Sequence, residues 1–93
     1  MRHALRTDDS QKPIVDALRA AGIAVYVIGL PLDLLCAVRD PRGSWRHVLL
    51  EVKDVDGRFT KQQAEFMAEW PGEIHVVRSP EEALKACLGR LMK

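Results

Sequence analysis

The sequence predicts an α/β domain, an α+β arrangement in which helices pack against a mixed sheet. Three observations carry this. Two branched apolar runs flank the breaker cluster Asp40-Pro41-Arg42-Gly43-Ser44 and read as a hairpin over residues 33–53. Residues 23–28 and 73–77 are rich in Ile and Val and read as two further strands. Around them, apolar residues recur at three- and four-residue spacing in three segments, the pattern of amphipathic helices. The predicted order is helix, strand, strand, strand, helix, strand, helix, and a chain of 93 residues makes one domain, 1–93.

Taken in order, residues 1–8 are charged, have few apolar anchors and are expected to be loosely ordered. Asp9 or Ser10 can cap the first helix, with Pro13 tolerated in its first turn. Ile14, Val15 and Leu18 form its apolar stripe, and Gly22 stops it. Gln11 precedes Ile14 and Val15 by three and four residues, so it projects toward the same buried side. It is either a capping-box glutamine or an amide with a partner inside. Gly29-Leu30-Pro31 ends the first strand.

After the hairpin, Asp54-Val55-Asp56-Gly57 invites a calcium-loop reading. Aligned on Gly57, such a loop would place Val52 first and Gln63 last, where carboxylates are required, so the segment is a connection. Thr60 is an N-cap for a second helix running to about Trp70 and ended by Pro71-Gly72. Its stripe is Phe66, Met67 and Trp70, with Trp70 expected in the core and Gln63 on the same inward side. Ser79 and Glu82 make a capping box for a final helix through Ala83, Leu84, Cys87, Leu88 and Leu91.

Composition narrows the function. With 47% hydrophobic residues the chain can bury a modest core without staples. Fourteen basic against thirteen acidic residues give +1, too little to hold nucleic acid by overall charge. A DNA role must then rest on a local basic patch, a bound metal or a dimer that pools its charges. Cys36 and Cys87 lie in apolar contexts without metal-type spacing and read as buried free thiols of a reducing, cytoplasmic compartment. Scattered His3, His47 and His75 argue against zinc. No signal peptide and no membrane-length apolar run is evident, so no membrane partner is expected.

The hairpin carries the chemistry. In a strand, residues two apart share a face, so Glu51 and Lys53 point the same way as Leu49 and His47. If Arg39 pairs with Trp45, the register carries inward until Asp33 lies opposite Glu51. Paired β-carbons in an antiparallel ladder are roughly 4.5–5.5 Å apart. Two carboxylates held that close repel unless a cation lies between them. A core has no use for that arrangement; a divalent metal site does. The inward amides of Gln11 and Gln63, on the two helices flanking this pair, look like support for it.

These residues resemble the PD-(D/E)XK nuclease superfamily, and within it the small stand-alone VRR-NUC (virus-type replication-repair nuclease) type. The likeness rests on Gln11, Ile14, Val15, Leu18, Arg19 and Gly22, on Asp33-Leu34-Leu35, on Leu50-Glu51-Val52-Lys53, and on Thr60, Gln63 and Phe66. Trp70-Pro71-Gly72 through Glu82-Ala83-Leu84 extends it, so it covers residues 6–88. It departs from the family where Leu32 stands in place of the proline before the first acid, and where Gln11 or Asp9 stands for a first-helix acid.

The resemblance implies a restriction-endonuclease-like core, αβββαβ plus a C-terminal helix. It further implies a Mg²⁺- or Mn²⁺-dependent DNA endonuclease acting on branched or structured DNA, of Holliday-junction or flap type. Asp33, Glu51 and the Val52 backbone carbonyl would hold the metal, with Asp9 as a further ligand. Lys53 would position the attacking water, and Gln63 would orient Lys53 or the phosphate, with Gln11 beside them. Arg42, Arg46, Arg58 and Lys61 would contact the DNA backbone, and a homodimer would present two sites. The rival expectation is a nuclease fold without catalysis that binds DNA or a protein partner.

Overall fold

The computed structural model of the chain describes residues 10–54 and 57–89. Its elements follow the predicted order: α1 (Gln11–Ala20), β1 (Ala24–Val27), β2 (Leu34–Arg39), β3 (Trp45–Val52), α2 (Lys61–Glu69), β4 (Glu73–Val77) and α3 (Pro80–Leu88). One sheet runs β1-β2-β3-β4. The first three strands form an antiparallel meander, and β4 lies parallel to β3. A parallel neighbour requires a crossover, and α2 supplies it. The result is a small α+β domain with a four-stranded mixed sheet and three helices.

Local chemistry explains the boundaries. Asp40 Oδ1 accepts from the amides of Arg42 and Ser44, each at 2.9 Å, and closes the β2–β3 turn. Gly43 there takes φ 89°, a conformation that disfavours side chains. The predicted pairing of Arg39 with Trp45 is present, and Leu34 pairs with Leu50 in the same register. Gly22, at φ 85°, ends α1 as expected. Ser10 is the N-cap of α1 without capping through its side chain; its Oγ instead donates to Asp54 Oδ1 at 3.2 Å. Residues 1–9, Asp9 among them, together with Asp56 and Leu91, lie outside the described residues.

α1 and α3 cover one face of the sheet. Ile14, Leu18, Leu34, Cys36, Val38, Val48, Leu50, Val52, Val77, Ala83 and Cys87 form the core there. Each large member contributes about 1.5–3 kcal/mol by leaving water. Both cysteines are free and buried, and the hydrogen bond to Cys87 together with burial pushes the Cys36 thiol up.

Arg46 ties this layer to the sheet. Its guanidinium makes two bonds to Glu73, at 2.8 and 2.9 Å, and donates to the carbonyls of Cys87 and Ala86 at the end of α3. That guanidinium holds the Glu73 carboxyl down at about 2.

Among the described residues, α2 is the one helix on the opposite face, and it covers that face only in part. No residue of α2 is buried; Phe66 and Met67 are half-buried. Trp70, expected in the core, is 45% exposed, and its ring stacks on Phe66 with centroids 5.3 Å apart. The reason is number: α1 and α3 share the core face, whereas α2 is the one helix among the described residues on this one. Trp70 therefore caps the end of α2 at the margin of an open face.

Candidate functional site

The site forms where β2 and β3 meet below the N-terminus of α2. Extending the Leu34–Leu50 pairing by one step sets Asp33 opposite Glu51, as the sequence register requires. Asp33 is fixed from both sides. Its carbonyl accepts from the amides of Ile28 and Gly29, at 2.9 and 3.2 Å, which anchors the β1–β2 connection. Its Oδ2 accepts from the Val52 amide at 2.8 Å. The acid thus closes the end of the ladder beside the Glu-x-Lys segment.

Glu51 is 2% exposed and lies on the α2 face, between core-facing Leu50 and Val52. Its Oε2 accepts from Gln63 Nε2 at 2.8 Å and lies 3.1 Å from Lys53 Nζ. Its Oε1 is buried without a protein hydrogen-bond partner. Burial raises its pKa above the ordinary glutamate value, and the neighbouring Asp33 charge adds to the rise; Lys53 and Gln63 oppose it.

Gln63 links the helix to this pair. Thr60 and Gln63 form a reciprocal capping box, so the helix start fixes the Gln63 backbone. Its Oε1 accepts from the Thr60 amide at 3.1 Å and from Lys53 Nζ at 3.3 Å, which leaves Nε2 facing Glu51. Lys53 Nζ also donates to the Arg58 carbonyl at 2.8 Å and lies 5.2 Å from the Phe59 ring centroid. No spacing in the sequence announces the carbonyl of Arg58 or the ring of Phe59 as lysine partners, because both act from an irregular connection. Ser10 on Asp54 draws the start of α1 to this end of β3, and Gln11, next in sequence, is buried.

No family model, curated protein or solved structure matches the chain.

The fold brings together Asp33, Glu51, Val52, Lys53 and Gln63, with exposed Arg58 and Lys61 at the rim. The arginines on the hairpin fall elsewhere. Arg42 is exposed in the turn, beyond the Arg39–Trp45 rung at the far end of the ladder from Asp33. That rung is five steps from Leu34–Leu50, roughly 17 Å at about 3.4 Å per residue. Arg46 belongs to the α3 face and is occupied by Glu73. Among the described residues no cluster of three or more His, Cys, Asp or Glu side chains is placed to hold a metal, so Asp33 and Glu51 are a two-carboxylate set. No helix among them is long and apolar enough to cross a membrane.

The two carboxylates offer hard oxygen donors. A buried carboxylate with one oxygen unpartnered and a second acid beside it is costly, because a buried charge needs pairing and its oxygens need donors. Carboxylate oxygen is the donor type that Mg²⁺ and Mn²⁺ prefer.

Proposed function

We propose that the chain is a PD-(D/E)XK-type endonuclease that hydrolyses phosphodiester bonds of branched or otherwise structured DNA with Mg²⁺ or Mn²⁺. The observation that carries the reading is the orphaned Glu51 Oε1, buried beside Asp33 and flanked by Lys53. The element order αβββαβ plus a C-terminal helix supports it as well. Asp33, Glu51 and the carbonyl of Val52 would hold the ion. When bound, it supplies a lowered water pKa and neutralisation of charge on the scissile phosphate.

The chain's own residues do the rest. Lys53 keeps an ammonium within reach of the Glu51 carboxylate, so it is poised to orient the attacking water and to offset developing phosphate charge. Gln63 holds that ammonium and the carboxylate in fixed relation. Gln11 closes the buried side near the start of α1. Arg58 and Lys61 meet backbone phosphates at the rim, which gives binding a steep salt dependence. With a formal charge of only +1, a homodimer that pools two rims is the competent form.

A panel of labelled duplex, flap and four-way DNA, incubated with Mn²⁺ and with EDTA, tests the reading. Cleavage by the wild type that EDTA and Lys53→Ala both abolish supports it. Binding without cleavage by either protein favours the non-catalytic module, a reading that the two-carboxylate set also permits.

A further inference from the structure

The α2 face holds a second feature beside the carboxylates. A cleft of about 400 Å³ opens between α2 and the sheet, floored by Leu35 and Leu49 and walled by Phe66 and Trp70, with His47 at its edge. Leu35 lies two residues along the strand from Asp33, and Leu49 two from Glu51, so floor and carboxylates share one face. Two strand residues span roughly 6.8 Å, about the length of one extended nucleotide. The Trp70 ring is held in place. It stacks on Phe66, and a β-carbon on Gly72 would fall 2.6 Å from its Nε1, so the bare glycine makes room for the indole.

We propose that this cleft takes an unpaired nucleobase next to the scissile phosphate, stacked between Trp70 and the leucine floor. This rests on the nuclease reading of the adjoining carboxylates and narrows its substrate to DNA with a single-stranded nucleotide beside the cut. A preformed apolar slot with an exposed aromatic wall suits the π-face of any base and reads little sequence. Bases stacked in intact duplex cannot reach it without being turned out. His47 offers a hydrogen-bonding edge without closing the slot.

The test pairs a protein change with a substrate change. Flap DNA is prepared with either an intact base or an abasic residue flanking the scissile phosphate. Trp70→Ala should raise KM about 10-fold on intact flap, within the range for losing one base stack. Wild type on the abasic flap should lose a similar factor, and Trp70→Ala on that substrate should lose little more. Trp70→Phe should restore most of the loss, and Mn²⁺ affinity should be unchanged in all three proteins. Equal losses from Trp70→Ala on intact and abasic DNA would overturn the proposal. So would a switch from dimer to monomer in light scattering with no dependence on the base, which would assign the face to a second copy of the chain.

Failure of the nuclease reading itself looks different: no DNA is cut and no Mn²⁺ binds. Base stacking is then read from quenching of Trp70 emission in Trp45→Phe protein by oligothymidylate roughly eight nucleotides long. Saturable quenching by oligothymidylate that an abasic oligodeoxyribose phosphate of the same length does not produce would retain the base slot without catalysis, and its absence would discard it.

Discussion

Glu51→Gln offers a searching perturbation of the site, because it removes a charge while keeping the shape. Glu51 is buried, one of its oxygens lacks a protein partner, and Asp33 adds repulsion. The amide removes the buried charge, whose desolvation is the main cause of the raised pKa, although it leaves a polar atom without a partner at the Oε1 position. It also forfeits the attraction to Lys53 at 3.1 Å, so a net stabilisation of roughly 1 kcal/mol is expected. For a domain of this size that is about 4–8 °C in Tm.

The sign with pH follows from the direction of the shift. A carboxyl whose folded pKa is raised favours folding in its neutral form. That contribution is present below the ordinary glutamate range and is lost as pH rises through the raised value. Thermal melts in EDTA should therefore show little difference between the two proteins near pH 4 and a growing advantage for Glu51→Gln toward pH 8. Adding Mn²⁺ at about a hundred times its Kd stabilises the wild type by about 2.7 kcal/mol and leaves the variant unmoved. A metal-free Glu51→Gln protein that melts several degrees below wild type at pH 8 would refute the reasoning, because it would mean that Lys53 and Gln63 already satisfy the carboxylate.

Other outcomes follow from the same geometry. Gln63→Ala removes both the reciprocal cap of α2 and the amide on Glu51, so chemical denaturation should report a loss of about 0.5–2 kcal/mol, and kcat on flap DNA should fall. Glu73→Gln breaks the charged partner of Arg46 and should cost about 1.5–3 kcal/mol at neutral pH. Wild-type stability from this pair, present above the ordinary carboxyl range, is lost as pH falls through about 2, so the cost should shrink in urea melts taken between pH 5 and 2. Gly72→Ala pushes the Trp70 indole out of place, and near-ultraviolet circular dichroism should lose the Trp70–Phe66 signal while the far-ultraviolet spectrum stays the same.

Much of the fold was legible because strong local signals agreed. The Asp40–Ser44 turn set the hairpin register through side-chain and backbone bonds that its residue types predict, and that register put Asp33 opposite Glu51. Thr60 announced the start of α2 and helical spacing turned Gln63 inward; the reciprocal capping box that the two form is what aims Gln63 at Glu51.

Other features depended on tertiary placement. Trp70 carries a core residue's chemistry, but no second helix among the described residues joins α2 on its face, and no local pattern reports what covers a helix. Arg46 belongs to a basic run along the hairpin, and only strand parity with the position of Glu73 turns it toward α3. Ser10 suits a cap by type, yet its hydroxyl goes to Asp54, a partner 44 residues away.

The most direct measurement is Mn²⁺ titration by isothermal calorimetry against wild type and Asp33→Asn protein, each shown by circular dichroism to be folded. The account predicts saturable uptake by the wild type, weakened at least tenfold by losing one carboxylate of the two. Equal affinity in both proteins, or no uptake by the wild type, would contradict it.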